Sequence, residues 1–172
     1  MKKSTLVILS FLSFLGILSC QTEDQDPIGN DDDLLTGEYH VKAKIDGVSK
    51  NFPFTFCGNF ENEGVFSLLV GGASREGENP EPVITIVLEK SGRITSGDYS
   101  VNSSELSAEY NLGEGKESYY ASSVLTPKDF SMQITAINNE KVRGTFKGTF
   151  KNNQGQTMSI TEGTFFLPIT LR

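Results

Sequence analysis

Short runs of alternating apolar and polar residues, closed off by Gly, Asn, Asp and Ser, constrain this chain more than anything else in it. Val41, Ala43 and Ile45 alternate with Lys42 and Lys44, and Val142 to Phe150 alternate with Arg143 to Lys151 in the same way. A period of two marks a strand with one face buried, and no window sustains the 3.6-residue period of an amphipathic helix. The spacing predicts strands near 38–46, 48–57, 65–71, 82–90, 97–102, 106–112, 117–123, 129–137, 141–151 and 157–170. Gly72 to Pro82, with Gly77, Pro80 and Pro82 inside it, reads as a loop.

Two regions are legible residue by residue. Asp46-Gly47 is a two-residue hairpin signal, because both residues tolerate the positive φ of a type I′ turn. Folding there sets Ile45 opposite Val48, Val41 opposite Phe52 and Tyr39 opposite Phe54, with His40, Lys42 and Lys44 on the other face. The C-terminal third reads as a meander. Phe130, Met132, Ile134 and Ala136 form one apolar face, and Val142, Gly144, Phe146, Gly148 and Phe150 form the next. A loop at 152–156 puts Phe150 opposite Met158 and Gly148 opposite Ile160. The pattern then slips phase at Glu162-Gly163, which a bulge at Gly163 explains, and Gly144 comes to face Phe165. Glycine at alternate inward positions marks close packing or curvature. The fold class is all-β: a single antiparallel β-sandwich or a flattened lipocalin-like barrel of about eight to ten strands.

The first twenty residues are of another kind. Lys2 and Lys3 precede an apolar run from Leu6 to Leu18, a length that suits a signal-peptide core and is short for a membrane span. Ile17-Leu18-Ser19-Cys20 follows and resembles the lipobox of bacterial lipoproteins, although Leu18 is larger than the Ala or Ser usual at its place. The resemblance implies cleavage after Ser19 and acylation of Cys20, giving a lipid attachment that holds the chain to a bilayer. Residues 1–19 are then a signal peptide, 20–33 a flexible tether and 34–172 one all-β domain. The tether carries Glu23, Asp24, Asp26 and Asp31 to Asp33 with no basic residue. Acidic residues just after the lipidated cysteine resemble the surface-export signal of Bacteroidota lipoproteins; a plain spacer reads the same way. The expected place is the outer membrane, lipid-anchored, with exposure at the cell surface open.

Fifteen basic and 22 acidic residues give a net charge of −7; without Lys2 and Lys3 the mature chain has 13 against 22, or −9. That balance excludes nucleic acid as a partner and disfavours anionic lipid headgroups. Only two cysteines are present, so acylation of Cys20 leaves Cys57 without an intrachain partner. The hairpin register puts Cys57 opposite Thr36, four residues and ~14 Å along the strand from His40, the only histidine, which argues against a nucleophilic dyad. One histidine and no Cys cluster supply no metal site, and no cofactor motif appears. Glu63, Glu76, Glu78 and Glu81 crowd a loop region and read as a solvated face.

Val41-x-Ala43-x-Ile45-Asp46-Gly47, Gly97-Asp98-Tyr99, Gly144-Thr145-Phe146 and Ile160-Thr161-Glu162-Gly163-x-Phe165 together resemble the β-rich lipoproteins of unknown function common in Bacteroidota. The resemblance implies an envelope lipoprotein with a compact β domain and no catalytic residues to carry over. Tyr99, Tyr110, Tyr119 and Tyr120 are the candidates for recognition, since aromatic faces stack on sugars and anchor protein interfaces. Tyr119 and Tyr120 are adjacent on a strand and must face opposite ways, so one of them lies outside any single-sheet core. The expected function is a non-enzymatic binding module for a glycan, peptide or protein partner. The alternatives are a lipocalin-like carrier of a small apolar ligand and a carboxylate-dependent hydrolase.

Overall fold

A computed structural model describes residues 34–76, 81–103 and 105–170; the leader, Cys20 and the tether lie outside these described residues. Eleven strands form: β1 (His40–Ile45), β2 (Val48–Phe52), β3 (Phe54–Asn62), β4 (Val65–Ala73), β5 (Val83–Ser91), β6 (Gly97–Ser100), β7 (Leu106–Asn111), β8 (Ser118–Ala121), β9 (Ser131–Ile137), β10 (Lys141–Lys151) and β11 (Thr157–Pro168). They pair antiparallel in the order β2-β1-β11-β10-β8-β7-β5-β4-β3, with β9 on the first half of β10 and β6 on β9.

The two ends of that order are consecutive in sequence. Pro53 has no N–H to donate, so the β1–β2 ladder stops at Val41↔Phe52 and the chain turns a corner to pair with β4 instead. One bent strand brings both edges of the sheet together, and the sheet curls into a nearly closed barrel. Beyond β11, the amide and hydroxyl of Thr170 donate to the Cys57 carbonyl at 3.1 and 3.2 Å, bridging part of the seam. The corner overturns two register expectations. Phe54 faces Ala73 rather than Tyr39, and Cys57 faces Val70 rather than Thr36.

Elsewhere the turns set the register as expected. Asp46 and Gly47 adopt φ of 47° and 78°, and Ile45 pairs with Val48, although Val48 at the hairpin tip is exposed. Phe150 pairs with Met158, Gly148 with Ile160 and Gly144 with Phe165. β11 carries one extra residue relative to β10 between Ile160 and Gly163, and relative to β1 between Thr161 and Thr164. Glu162, at φ of 51°, is the bulged residue, directly before the glycine where the phase slip was expected.

A checkerboard of rings and bare backbone curves this part of the barrel. Gly144 and Phe146 on β10 face Phe165 and Gly163 on β11. A Cβ on Gly144 would lie 2.5 Å from Phe165 Cζ, and one on Gly163 2.5 Å from Phe146 Cδ2. Each ring covers the glycine opposite, and the two rings stack at 6.4 Å. Phe52, Phe130, Phe150, Ile84, Ile86 and Ile160 join them in one contiguous buried cluster inside the barrel.

A second irregularity was not expected. Between Ile134 and Ala136, β9 holds one residue more than β10, so Ala136 turns to the outer face instead of sharing the inward face with Ile134. There it meets Leu35 and Phe166 in a small outer cluster. The segment Leu34 to Tyr39 is strapped over it. The Arg143 guanidinium lies 4.4 Å above the Phe166 ring and donates to the Thr36 carbonyl, while Lys141 Nζ reaches the Leu35 carbonyl at 3.4 Å.

Candidate functional site

Strand alternation separates the tyrosine pair. Tyr119 faces Tyr110 across β7–β8 and packs inward against the core, whereas Tyr120 faces Glu109 and Lys151 on the outer surface. The other two tyrosines point inward as well. Tyr99 is buried and donates its hydroxyl to the Thr95 carbonyl at 2.8 Å, and burial of Tyr110 raises its phenol pKa. Of the four candidates only Tyr120 lies on the outer face of the barrel.

Tyr120 stands in a groove of about 350 Å³ on the outside of the barrel. Thr85 and Val87 of β5, Glu109 of β7 and Tyr120 of β8 form its floor. β8 stops at Ala121 while β7 continues back to Leu106, which leaves a shelf. The chain after β8 folds over that shelf as a lip carrying Leu125 and Val124, the latter 85 % exposed. The lining is mainly apolar with one carboxylate. Glu109 is half-buried and accepts a 3.5 Å hydrogen bond from Asn111 Nδ2. Among the described residues no cation lies within 4.0 Å of it.

The groove opens onto an unusual outer face. Phe56, Gly71, Thr85, Glu109 and Tyr120 form one row in register across β3, β4, β5, β7 and β8, and Gly58, Leu69, Val87 and Ser107 form the row beside it. The Phe56 ring covers Gly71, whose Cβ would come within 2.3 Å of it, and Phe54 and Phe60 on the same face are each 40 % exposed. The outer face of an antiparallel sheet is ordinarily polar. The alternation reading missed this strip, yet a signal exists. Val83-Ile84-Thr85-Ile86-Val87-Leu88 is apolar in both phases, the pattern of a strand covered on both faces.

A second depression of about 240 Å³ lies on the outer face of β9, β10 and β11, lined by Gln133, Thr145, Lys147 and Glu162 among others. Its carboxylate is already occupied, since Glu162 accepts from Lys44 Nζ at 2.6 Å. The Tyr120 groove, larger than this one and with no cation within 4.0 Å of its carboxylate among the described residues, is the better site.

The remaining candidates do not come together. Cys57 is fully buried and its thiol is pushed up to about 12 by desolvation, while His40 lies on the outer side of β1 with Nδ1 2.9 Å from the Glu38 carbonyl oxygen. Glu63 sits in the β3–β4 turn at φ of 52°, Glu76 is exposed, and Glu78 lies outside the described residues. Glu81 accepts from the Glu114 amide and from Lys116 Nζ, tying the β4–β5 loop to the β7–β8 turn; the first of these bonds leads in lowering its pKa. Among the described residues no three His, Cys, Asp or Glu side chains are grouped to hold a metal ion. No family model, curated protein or solved structure matches this chain.

Proposed function

We propose that the mature chain is a non-enzymatic binding module, held to the outer membrane through acylated Cys20 and engaging its partner with the outside of the barrel. The observation that carries this reading is the contrast between inside and outside. The interior is occupied by Phe52, Phe130, Phe146, Phe150 and Phe165 in one buried cluster, and the groove beside Tyr120 opens outward. A carrier needs an internal chamber of at least ~300 Å³ for a small ligand. A hydrolase using carboxylates needs an acid whose pKa is raised toward neutrality. Glu81 is displaced the other way, by contacts that join two loops.

The anchor and the groove suit one another. The Leu34–Tyr39 strap is held by Lys141 and Arg143 at the start of β10, whereas Tyr120 in the groove pairs with Lys151 at the far end of that strand, eight residues or ~27 Å along it. A tether leaving the strap therefore starts well away from the groove. The acidic run after Cys20 supports export to the cell surface.

Crystals of residues 34–172 pressurised with xenon test the reading, because xenon occupies dry apolar cavities. The expected result is no xenon inside the barrel. Xenon sites enclosed by Phe150 and Ile160 would favour the carrier. For the anchor, Cys20→Ala should shift the protein from the membrane to the soluble fraction on cell fractionation, and continued membrane retention would contradict acylation at Cys20.

A further inference from the structure

We infer that the Tyr120 groove receives a basic side chain from an otherwise apolar, extended segment of a partner protein. This rests on the outer-face reading above and adds the chemistry of the ligand.

The charge argument comes first. Glu109 is half-buried on a mainly apolar floor with no cation within 4.0 Å among the described residues, the nearest in its row being Lys151, beyond Tyr120. A carboxylate held partly away from water attracts a positive group more strongly than an exposed one does. The mature chain, at −9, steers cations toward its surface. Tyr120 is the direct cross-strand neighbour of Glu109, so the two side chains stand ~5 Å apart at their Cβ atoms. A guanidinium laid on the ring can meet the carboxylate at its edge. This fold already makes contacts of that kind, with Arg143 4.4 Å over Phe166 and Lys90 5.8 Å over Tyr99.

The shape of the face supplies the rest of the ligand. From Tyr120 on β8 to Phe56 on β3 the row crosses four strand spacings, ~19 Å, which an extended peptide of about six residues spans. Val87, Leu69 and Phe56 along that path offer apolar contacts, and Val124 at the lip stays 85 % exposed until something covers it. A saccharide fits less well. It needs many polar groups around its ring, and here Thr85, Ser107 and Ser122 offer a few hydroxyls among apolar walls.

The test uses the mature chain and three capped hexapeptides that share five apolar residues and carry arginine, citrulline or glutamate at one fixed place, read by fluorescence anisotropy. The arginine peptide should bind ~10-fold or more tightly than its citrulline counterpart, and the glutamate peptide weakest. Glu109→Gln should bring arginine and citrulline within about twofold of each other, and Tyr120→Ala should weaken the arginine peptide ~5-fold. Both substitutions lie on the outer face, and circular dichroism should report an unchanged fold. Equal affinity for arginine and citrulline, a preference that survives Glu109→Gln, or no peptide binding would overturn the inference. Saturable binding of a neutral oligosaccharide that Tyr120→Ala abolishes, with no peptide binding, would overturn it while leaving the outer-face reading standing. A fatty acid bound inside the barrel would overturn the outer-face reading itself.

Discussion

Gly144→Ala tests the packing that fills the barrel, because two effects of opposite sign meet at that residue. Alanine in a strand ordinarily gains about 0.5–1 kcal/mol over glycine by restricting the unfolded chain. At Gly144 the new Cβ would lie 2.2 Å from the Gln133 carbonyl oxygen and 2.5 Å from Phe165 Cζ. The ring can shift, but the carbonyl belongs to the ladder of a neighbouring strand. Overpacking of this kind costs about 1–3 kcal/mol, and contact with backbone places it in the upper half of that range, so the net effect is a loss of about 1–2 kcal/mol. For a domain of this size that lowers Tm by about 3–10 °C. Urea unfolding of Gly144→Ala, Phe165→Leu and the double variant measures it. Shrinking the ring should recover part of the alanine cost, giving a coupling of at least ~0.5 kcal/mol, and the Gln133 contact should keep the recovery incomplete. A Gly144→Ala variant more stable than the parent, or strict additivity with Phe165→Leu, would refute the close approach of ring and backbone.

Three further outcomes follow from single contacts. Glu81 has its pKa lowered from 4.5 in the fold, so the unfolded state binds more protons as pH drops below that value, and the contribution of Glu81 is lost as pH falls through its lower folded pKa. Across that acid range the urea midpoint of the parent should therefore fall more steeply than that of Glu81→Gln, and parallel curves would remove the loop tie. Cys57, with its thiol at about 12 and no exposure, should resist a thiol-specific chromogenic reagent in the folded Cys20→Ala protein and react fully in urea; rapid native reaction would contradict its burial. Arg143→Ala removes both the donor to Thr36 and the cation over Phe166, so limited proteolysis should cut the Leu34–Tyr39 segment several-fold faster, with an unchanged rate showing that the strap holds without it.

Much of the barrel could be read from local signals. Asp46-Gly47 fixes its own turn, and the 152–156 loop fixes Phe150 against Met158, because a short turn leaves the flanking strands one register. Glu162-Gly163 announced its bulge by a slip in alternation. Pro53 is equally visible, but alternation runs through it from Phe52 to Phe56, so the pattern alone pairs Tyr39 and Cys57 as if on a straight hairpin where the chain in fact turns a corner. The bulge in β9 left no such trace, since Ala136 is small enough for either face and only Leu35, from the far end of the domain, shows which one it took. Parity alone shows that one of Tyr119 and Tyr120 faces outward, but not that it is Tyr120. The groove around Tyr120 was not legible, because β5, β7, β8 and the lip at Val124 meet only once the sheet has curled.

The most direct test of the proposed binding on the outer face is methyl NMR of the labelled domain titrated with the arginine hexapeptide. Leu69, Val87, Val124 and Leu125 report the outer face, and Val70, Ile84, Ile86 and Ile160 report the interior. The expected result is saturable shifts at the outer methyls with the inner set still. Shifts gathered on Ile84, Ile86 and Ile160 would contradict it and return the search to the inside of the barrel.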